Sequence, residues 1–159
     1  MTYDLHGAWD TMTGTHAPLY YQGWGYSQLS VDSCVKIWNE RGAPFSKISL
    51  GLGFYGRSFS GATSLNQPHH GPDESNWSDD KGVPQYYNIL NEIESGSMTS
   101  VFHEDSQTPY AYFNDGSGFV SYENEQSICM KTEYAIENNL NGFLIWVRRQ
   151  RIQKFTSLK

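Results

Sequence analysis

The sequence is poor in the residues that build metal sites and covalent frameworks. It holds two cysteines in 159 residues, Cys34 and Cys129, too few for a disulfide framework and with no ligand motif around them. Whether the two pair is left open by the sequence. No stretch approaches the roughly 20 apolar residues of a membrane span, so no membrane partner is expected. Basic residues are scarce, 11 Lys and Arg against 17 Asp and Glu. Five of them, Arg148, Arg149, Arg151, Lys154 and Lys159, fall in an acid-free tail over residues 148–159. The remaining body is strongly acidic, which argues against a nucleic-acid partner. The tail reads as a solvated, disordered end. The opening Met1-Thr-Tyr-Asp lacks the basic region and apolar run of a secretory leader, so no signal peptide is expected in this chain. There is no internal repeat and no low-complexity segment.

Aromatic rings, by contrast, are abundant, at 15% of residues with 11 Tyr, 8 Phe and 5 Trp. Most are expected in the core, but flat apolar faces with polar edges also suit sugar rings. The length fits one domain of ordinary size and falls short of the roughly 250 residues of a complete (β/α)8 barrel.

Hydrophobic patterning predicts a strand over Met1–Leu5, then a Gly- and Tyr-rich loop to about Leu29. Ser30 is placed to cap a helix that carries Val31, Cys34, Val35 and Trp38 at helical spacing and stops at Gly42. Lys47–Phe54 reads as a buried strand, with a loop opening at Tyr55. Residues 66–81 are rich in Gly, Pro, Asn, Asp and Ser and predict a long loop. A short helix from Pro84 follows, with Tyr86, Ile89, Leu90 and Ile93 on one face. Short strands are expected over Thr99–His103, Pro109–Phe113 and Gly118–Tyr122, the last two joined by the hairpin signal Asn114-Asp-Gly-Ser. Glu123–Asn139 reads as a helix with Ile128, Thr132, Ala135 and Ile136 inward. Phe143–Val147 reads as a buried strand. This βα alternation implies an α/β fold with a parallel sheet, interrupted by a small α+β segment. Three parallel strands leave open edges, so the piece is not expected to bury a complete core alone.

Chemistry-bearing residues gather at three strand ends. Tyr3 and Asp4 close the first strand, with Trp9 soon after. Tyr55 and Arg57 follow the second, and Trp146 closes the third. Carboxylate, hydroxyls, a planar guanidinium and indoles are the set that hydrogen-bonds and stacks on a carbohydrate. In a barrel, such strand ends share one mouth. His69-His70 is a loop pair without matched zinc ligands, and no metal or cofactor is expected. Asn76-Trp-Ser fits the N-glycosylation pattern.

At these residues the sequence resembles glycoside hydrolase family 18, the chitinases and chitinase-like lectins. The likeness rests on Met1-Thr-Tyr-Asp-Leu-His-Gly-Ala-Trp-Asp, on the strand ending in Tyr55-Gly-Arg-Ser-Phe, and on Asn141-Gly-Phe-Leu-Ile-Trp, in that order, over about residues 1–147. The resemblance implies a partial TIM (β/α)8 barrel, about strands six to eight. Residues 1–59 and 122–147 would form it, with residues 60–121 as the family's insertion domain. It implies a secreted parent that binds chitin or chito-oligosaccharides as a monomer. The parent would cleave β-1,4-linked N-acetylglucosamine with the substrate's own acetamido oxygen as nucleophile. By the same resemblance, Tyr3 orients the N-acetyl group, Asp4 binds the sugar at or beside the cleaved subsite, and Met1 lines that pocket. Tyr55 and Arg57 hold the chain across the cleavage point, Trp146 forms the pocket floor, and Trp9 stacks on the leaving-group side. The family's D-x-x-D-x-D-x-E motif, which carries the proton-donating glutamate, does not occur here. The basic tail also departs from the family's acidic continuation. Together these imply a chain that is part of a larger gene product and inactive by itself, the alternative being a non-catalytic lectin.

Overall fold

The computed structural model describes residues 1–24, 28–78 and 80–146; Val147 and the basic tail lie outside the described residues. Elements follow in the order α1 (Val31–Glu40), a 3-10 turn (Phe45–Lys47), β1 (Ser49–Gly53), β2 (Arg57–Ser60), α2 (Tyr86–Glu94), β3 (Met98–His103), β4 (Thr108–Phe113), β5 (Gly118–Ser121), α3 (Glu125–Glu137) and β6 (Gly142–Trp146).

Two sheets result. β1 and β6 form a parallel pair in which Leu50 faces Phe143 and Gly53 faces Trp146. β2, β5, β4 and β3, in that spatial order, form an antiparallel sheet. The predicted loop at Tyr55 is therefore only a three-residue link, since Arg57 already opens β2 against β5.

Each sheet has its own apolar cluster. Val31 and Val35 of α1 pack with Leu50 of β1 and with Tyr134 and Ala135 of α3. Ile89 of α2 packs on Met98, Ala111, Val120 and Tyr122. Ser30 caps α1 as expected: its hydroxyl accepts from the Ser33 amide, and the Ser33 hydroxyl accepts from the Ser30 amide. This capping box satisfies two amides that the first turn leaves without intrahelical partners.

Four expectations are corrected. Met1–Leu5 forms no ladder, because the Thr2 hydroxyl occupies the partner groups of β1. It donates to the Gly51 carbonyl at 2.8 Å and accepts from the Gly51 amide at 3.0 Å. The β6 side chains are not buried, with Phe143 to Trp146 between 40 and 59% exposed. An apolar run reports suitability for burial, and burial itself needs covering elements that the described chain does not supply. Trp38 is exposed for the same reason, since the core meets α1 only at Val31 and Val35. Finally, α3 turns Ser127, Lys131, Tyr134 and Ala135 inward and leaves Ile136 exposed. This is a rotation of one residue, about 100°, from the predicted face. A buried lysine, described below, sets it. Cys34 and Cys129 are free thiols.

Candidate functional site

The site is built where residues 2–5 run along β1. A side chain at Gly51 would collide with the Tyr3 ring at 2.8 Å, and one at Gly53 with the Tyr55 ring at 2.8 Å. The two glycines therefore let two tyrosine rings approach the strand backbone closely. Tyr3 and Tyr55 meet edge to face, with centroids 6.1 Å apart. Beyond Tyr3 the backbone turns at Asp4 through the left-handed region, φ 58°, a conformation that aspartate tolerates better than most residues. Leu5 then donates to the His16 carbonyl at 2.8 Å.

That turn points the Asp4 carboxylate at Arg57, the first residue of β2. Arg57 donates from Nε to Oδ1 at 2.7 Å and from a terminal nitrogen to Oδ2 at 2.6 Å. This is the planar fork-to-fork pairing that lysine cannot reproduce. The guanidinium also lies 5.2 Å from the Trp9 ring and 5.7 Å from the Tyr55 ring. Five of the sequence-predicted residues, Tyr3, Asp4, Trp9, Tyr55 and Arg57, thus form one contact network.

The other two stand at its margin. Trp146 is 52% exposed and pairs in register with Gly53. Met1 is 89% exposed and lines no enclosed pocket among the described residues, although its Cα approaches Gly51. Beside Trp9 opens a cavity of about 410 Å³, lined among others by His6, Asp10, Met12, Trp24 and Asn66. Its lining does not reach Tyr55 or Trp146, so it adjoins the network on the Trp9 side only.

The electrostatics favour an ionised carboxylate. Burial alone would raise the Asp4 pKa, but the adjoining His16, Arg57 and Tyr55 groups outweigh it and hold the carboxyl below the usual range. Burial, and then the Asp4 charge, push the Tyr55 phenol up. The same two causes raise Tyr3. Both tyrosines therefore stay protonated donors. Asp4 is depressed in the folded state, so its stabilising contribution is present above its unfolded value of 3.8 and is lost as pH falls through the folded value. In urea unfolding, the wild type is expected to lose more stability than Asp4→Asn on going from pH 6 to about pH 3; equal losses would show that the pairing contributes nothing.

Sequence reasoning missed the layer beneath. His16 is fully buried, with Nδ1 3.8 Å from Asp4 Oδ1. That distance is electrostatic contact rather than a hydrogen bond. Behind it, Lys131 and Glu123, both almost wholly buried, form an ion pair. Lys131 also donates to the Ala17 carbonyl at 2.6 Å, and the Ser127 hydroxyl donates to Glu123 at 2.6 Å. A lone histidine in a loop and a lysine on a helix carry no spacing signal. Only the inward stripe Ser127–Lys131–Tyr134 could have hinted at them. His69 is engaged through both ring nitrogens, with the Asp10 carbonyl and the Gly71 amide.

The profile of Glycosyl hydrolases family 18 matches residues 1–150. The chain belongs to that family. It is 31% identical to an endochitinase of Manduca sexta over 160 residues, covering 92% of this chain and 28% of that protein. It is 34% identical to chitotriosidase-1 of Mus musculus, over 92% of this chain and 32% of that one. The family 18 chain thus spans about a third of the length of these relatives. Its mixed α/β fold superposes on a mutant family 18 chitinase from Cycas revoluta in complex with (GlcNAc)4. The TM-score is 0.79 at 29% identity, over 92% of this chain and 40% of that one.

Proposed function

We propose that this chain supplies the C-terminal wall of a family 18 chitinase, a (β/α)8 barrel, and that its Tyr3–Asp4–Trp9–Tyr55–Arg57 network, flanked by Trp146 and Met1, binds a chito-oligosaccharide. Residues 1–59 and 122–147 form that wall, about strands six to eight. Residues 60–121 are the insertion; they supply β3, β4 and β5 of the four-stranded sheet, and β2 (Arg57–Ser60) joins it from the wall side. The observation that carries this is the Asp4–Arg57 pair: a partly exposed ionised carboxylate, side chain 32% exposed, fixed among two protonated tyrosines and an indole. It offers acceptor, donors and a stacking face within one network. The (GlcNAc)4 complex of the Cycas protein supports a sugar as the ligand.

In the parent protein the reaction is hydrolysis of β-1,4-linked N-acetylglucosamine. The Tyr3 hydroxyl holds the substrate's acetamido group so that its oxygen attacks the anomeric carbon, a positioning role. Asp4 accepts from sugar hydroxyls. Tyr55 and Arg57 hold the sugar chain across the cleavage point, and Trp146 closes the pocket floor. The proton donor, carried by the family's D-x-x-D-x-D-x-E motif, is not among the residues of this sequence. A secreted parent fits a substrate outside the cell, and it would also bring exposed Asn76 within reach of glycosylation.

Residues 1–159 incubated with chitotetraose are therefore expected to give no cleavage products by chromatography, while the parent does. In the parent, Tyr3→Phe is expected to lower kcat roughly a hundredfold with a much smaller change in KM. A parent that binds the tetramer but releases no products would favour the lectin reading. Unchanged kcat in Tyr3→Phe would remove the tyrosine from the mechanism.

A further inference from the structure

We propose that His16 is a positioning residue for Asp4: its Nδ1–H is a second donor that takes up Oδ1 when a sugar hydroxyl draws the carboxylate away from Arg57. The role rests on Asp4 being the sugar-binding carboxylate. The imidazole has no solvent exposure, and neither ring nitrogen has a hydrogen-bond partner among the described residues. Buried polar groups left unpaired are rare and costly, so a ring held in this condition calls for a partner within reach.

The groups facing it leave little choice. Asp4 and the Tyr55 ring face the imidazole, and the Arg57 and Lys131 charges act on it. Arg57 and protonated Lys131 can only donate, and the Lys131 ammonium is already engaged by Glu123 and the Ala17 carbonyl. The Tyr55 ring packs at 5.3 Å, tilted by 49°. The carboxylate oxygen 3.8 Å from Nδ1 is the strongest acceptor present. Closing that gap by about 0.8 Å gives an ordinary N–H···O bond.

His16 is also the fixed partner of the two. Its amide donates to the Ser121 hydroxyl at 2.9 Å, and its carbonyl accepts from Leu5 at 2.8 Å. Lys131 pins the next residue, Ala17, by its carbonyl. Asp4 sits partly open to solvent on a strained turn, so the carboxylate moves and the ring waits. Burial first, then the Lys131 and Arg57 charges, hold the imidazole below its ordinary value against the pull of Asp4. A neutral ring has one proton to place, and the geometry puts it on Nδ1.

The test is made on the full chain. Imidazole nitrogen NMR of ¹⁵N-histidine protein is expected to show His16 neutral and in the Nδ1–H form from about pH 5 to 8. Removing the N–H that faces the carboxylate, in electrostatic contact in the free chain and bonded in the complex, destabilises its charged form, so the Asp4 midpoint, read by carboxyl ¹³C shifts, is expected to rise in His16→Leu and to rise further with chitotetraose bound. It should return toward the wild-type value in His16→Gln, whose amide donates. Chitotetraose affinity should fall roughly tenfold in His16→Leu and recover in His16→Gln. An Nε2–H tautomer in the wild type, or an Asp4 midpoint unmoved in His16→Leu, overturns the proposal. A wild-type chain that binds no chitotetraose, with tautomer and midpoints as expected, overturns the sugar reading and leaves the Asp4–His16 coupling standing.

Discussion

Glu123→Ala is expected to remove a large share of the folding stability of this chain at neutral pH. Glu123 is 2% exposed and Lys131 1%, so deleting the carboxylate strands an ammonium in the interior. Breaking a buried pair from one side costs about 3–5 kcal/mol, set against roughly 5–15 kcal/mol for a whole domain. The loss carries a pH signature. Burial pushes the Lys131 ammonium down to about 7 even with Glu123 in place, below the 10.5 of an unfolded lysine, and without Glu123 the Ala17 carbonyl is left to oppose that push. In the mutant the unfolded chain then binds more protons than the folded one between those values, so stability rises with pH across that window. Chemical denaturation at pH 7 and about pH 9.5 reads both effects. A Glu123→Leu/Lys131→Met chain should recover part of the loss, less whatever the unpaired Ala17 carbonyl costs. A Glu123→Ala chain as stable as the wild type at pH 7 would show that the pair is not what holds α3 to the loop below the site.

Asp4→Ala is expected to reduce chito-oligosaccharide affinity by at least about tenfold, since a hydrogen bond to a charged group contributes about 1.5–3 kcal/mol. Two losses combine. The sugar loses its acceptor, and Arg57 loses the two bonds that hold its guanidinium between Trp9 and Tyr55. Asp4→Asn keeps the shape but not the charge, and should fall between wild type and Asp4→Ala. Calorimetric titration with chitotetraose checks the series. Equal affinities for Asp4→Ala and wild type would place the ligand elsewhere, with the Trp9 cavity the next location to test.

Much of the scaffold was legible because periodicity reports which residues prefer burial. From α1 onward the order of helices and strands apart from β2, the Ser30 cap and the hairpin at Asn114 all followed from local chemistry. What failed depended on partners. Thr2 replaces a strand ladder with one hydroxyl, and no alternation of residue types announces that. Lys131 reads as a solvated helix residue until its counter-ion, eight positions earlier, is seen to face it across the cap at Asn124. That inward lysine is what rotates α3 away from the face marked by Ile136. Phe143 to Trp146 read as buried because their side chains suit a core, while burial is a property of the neighbours. In the candidate site, Tyr3, Asp4, Tyr55 and Arg57 were legible as neighbours because they stand in recognisable strings. His16, which touches no such string, was found only by its position under Asp4.

The measurement that bears most directly on the proposed sugar site is an NMR titration of the chain with chitotetraose, with cellotetraose, which lacks N-acetyl groups, as the control. Perturbations are expected to centre on Tyr3, Asp4, Tyr55 and Arg57 and on the Trp9 and Trp146 indoles, with chitotetraose and not with cellotetraose. A folded chain whose spectrum is unmoved by chitotetraose, or that responds alike to both sugars, would contradict the account.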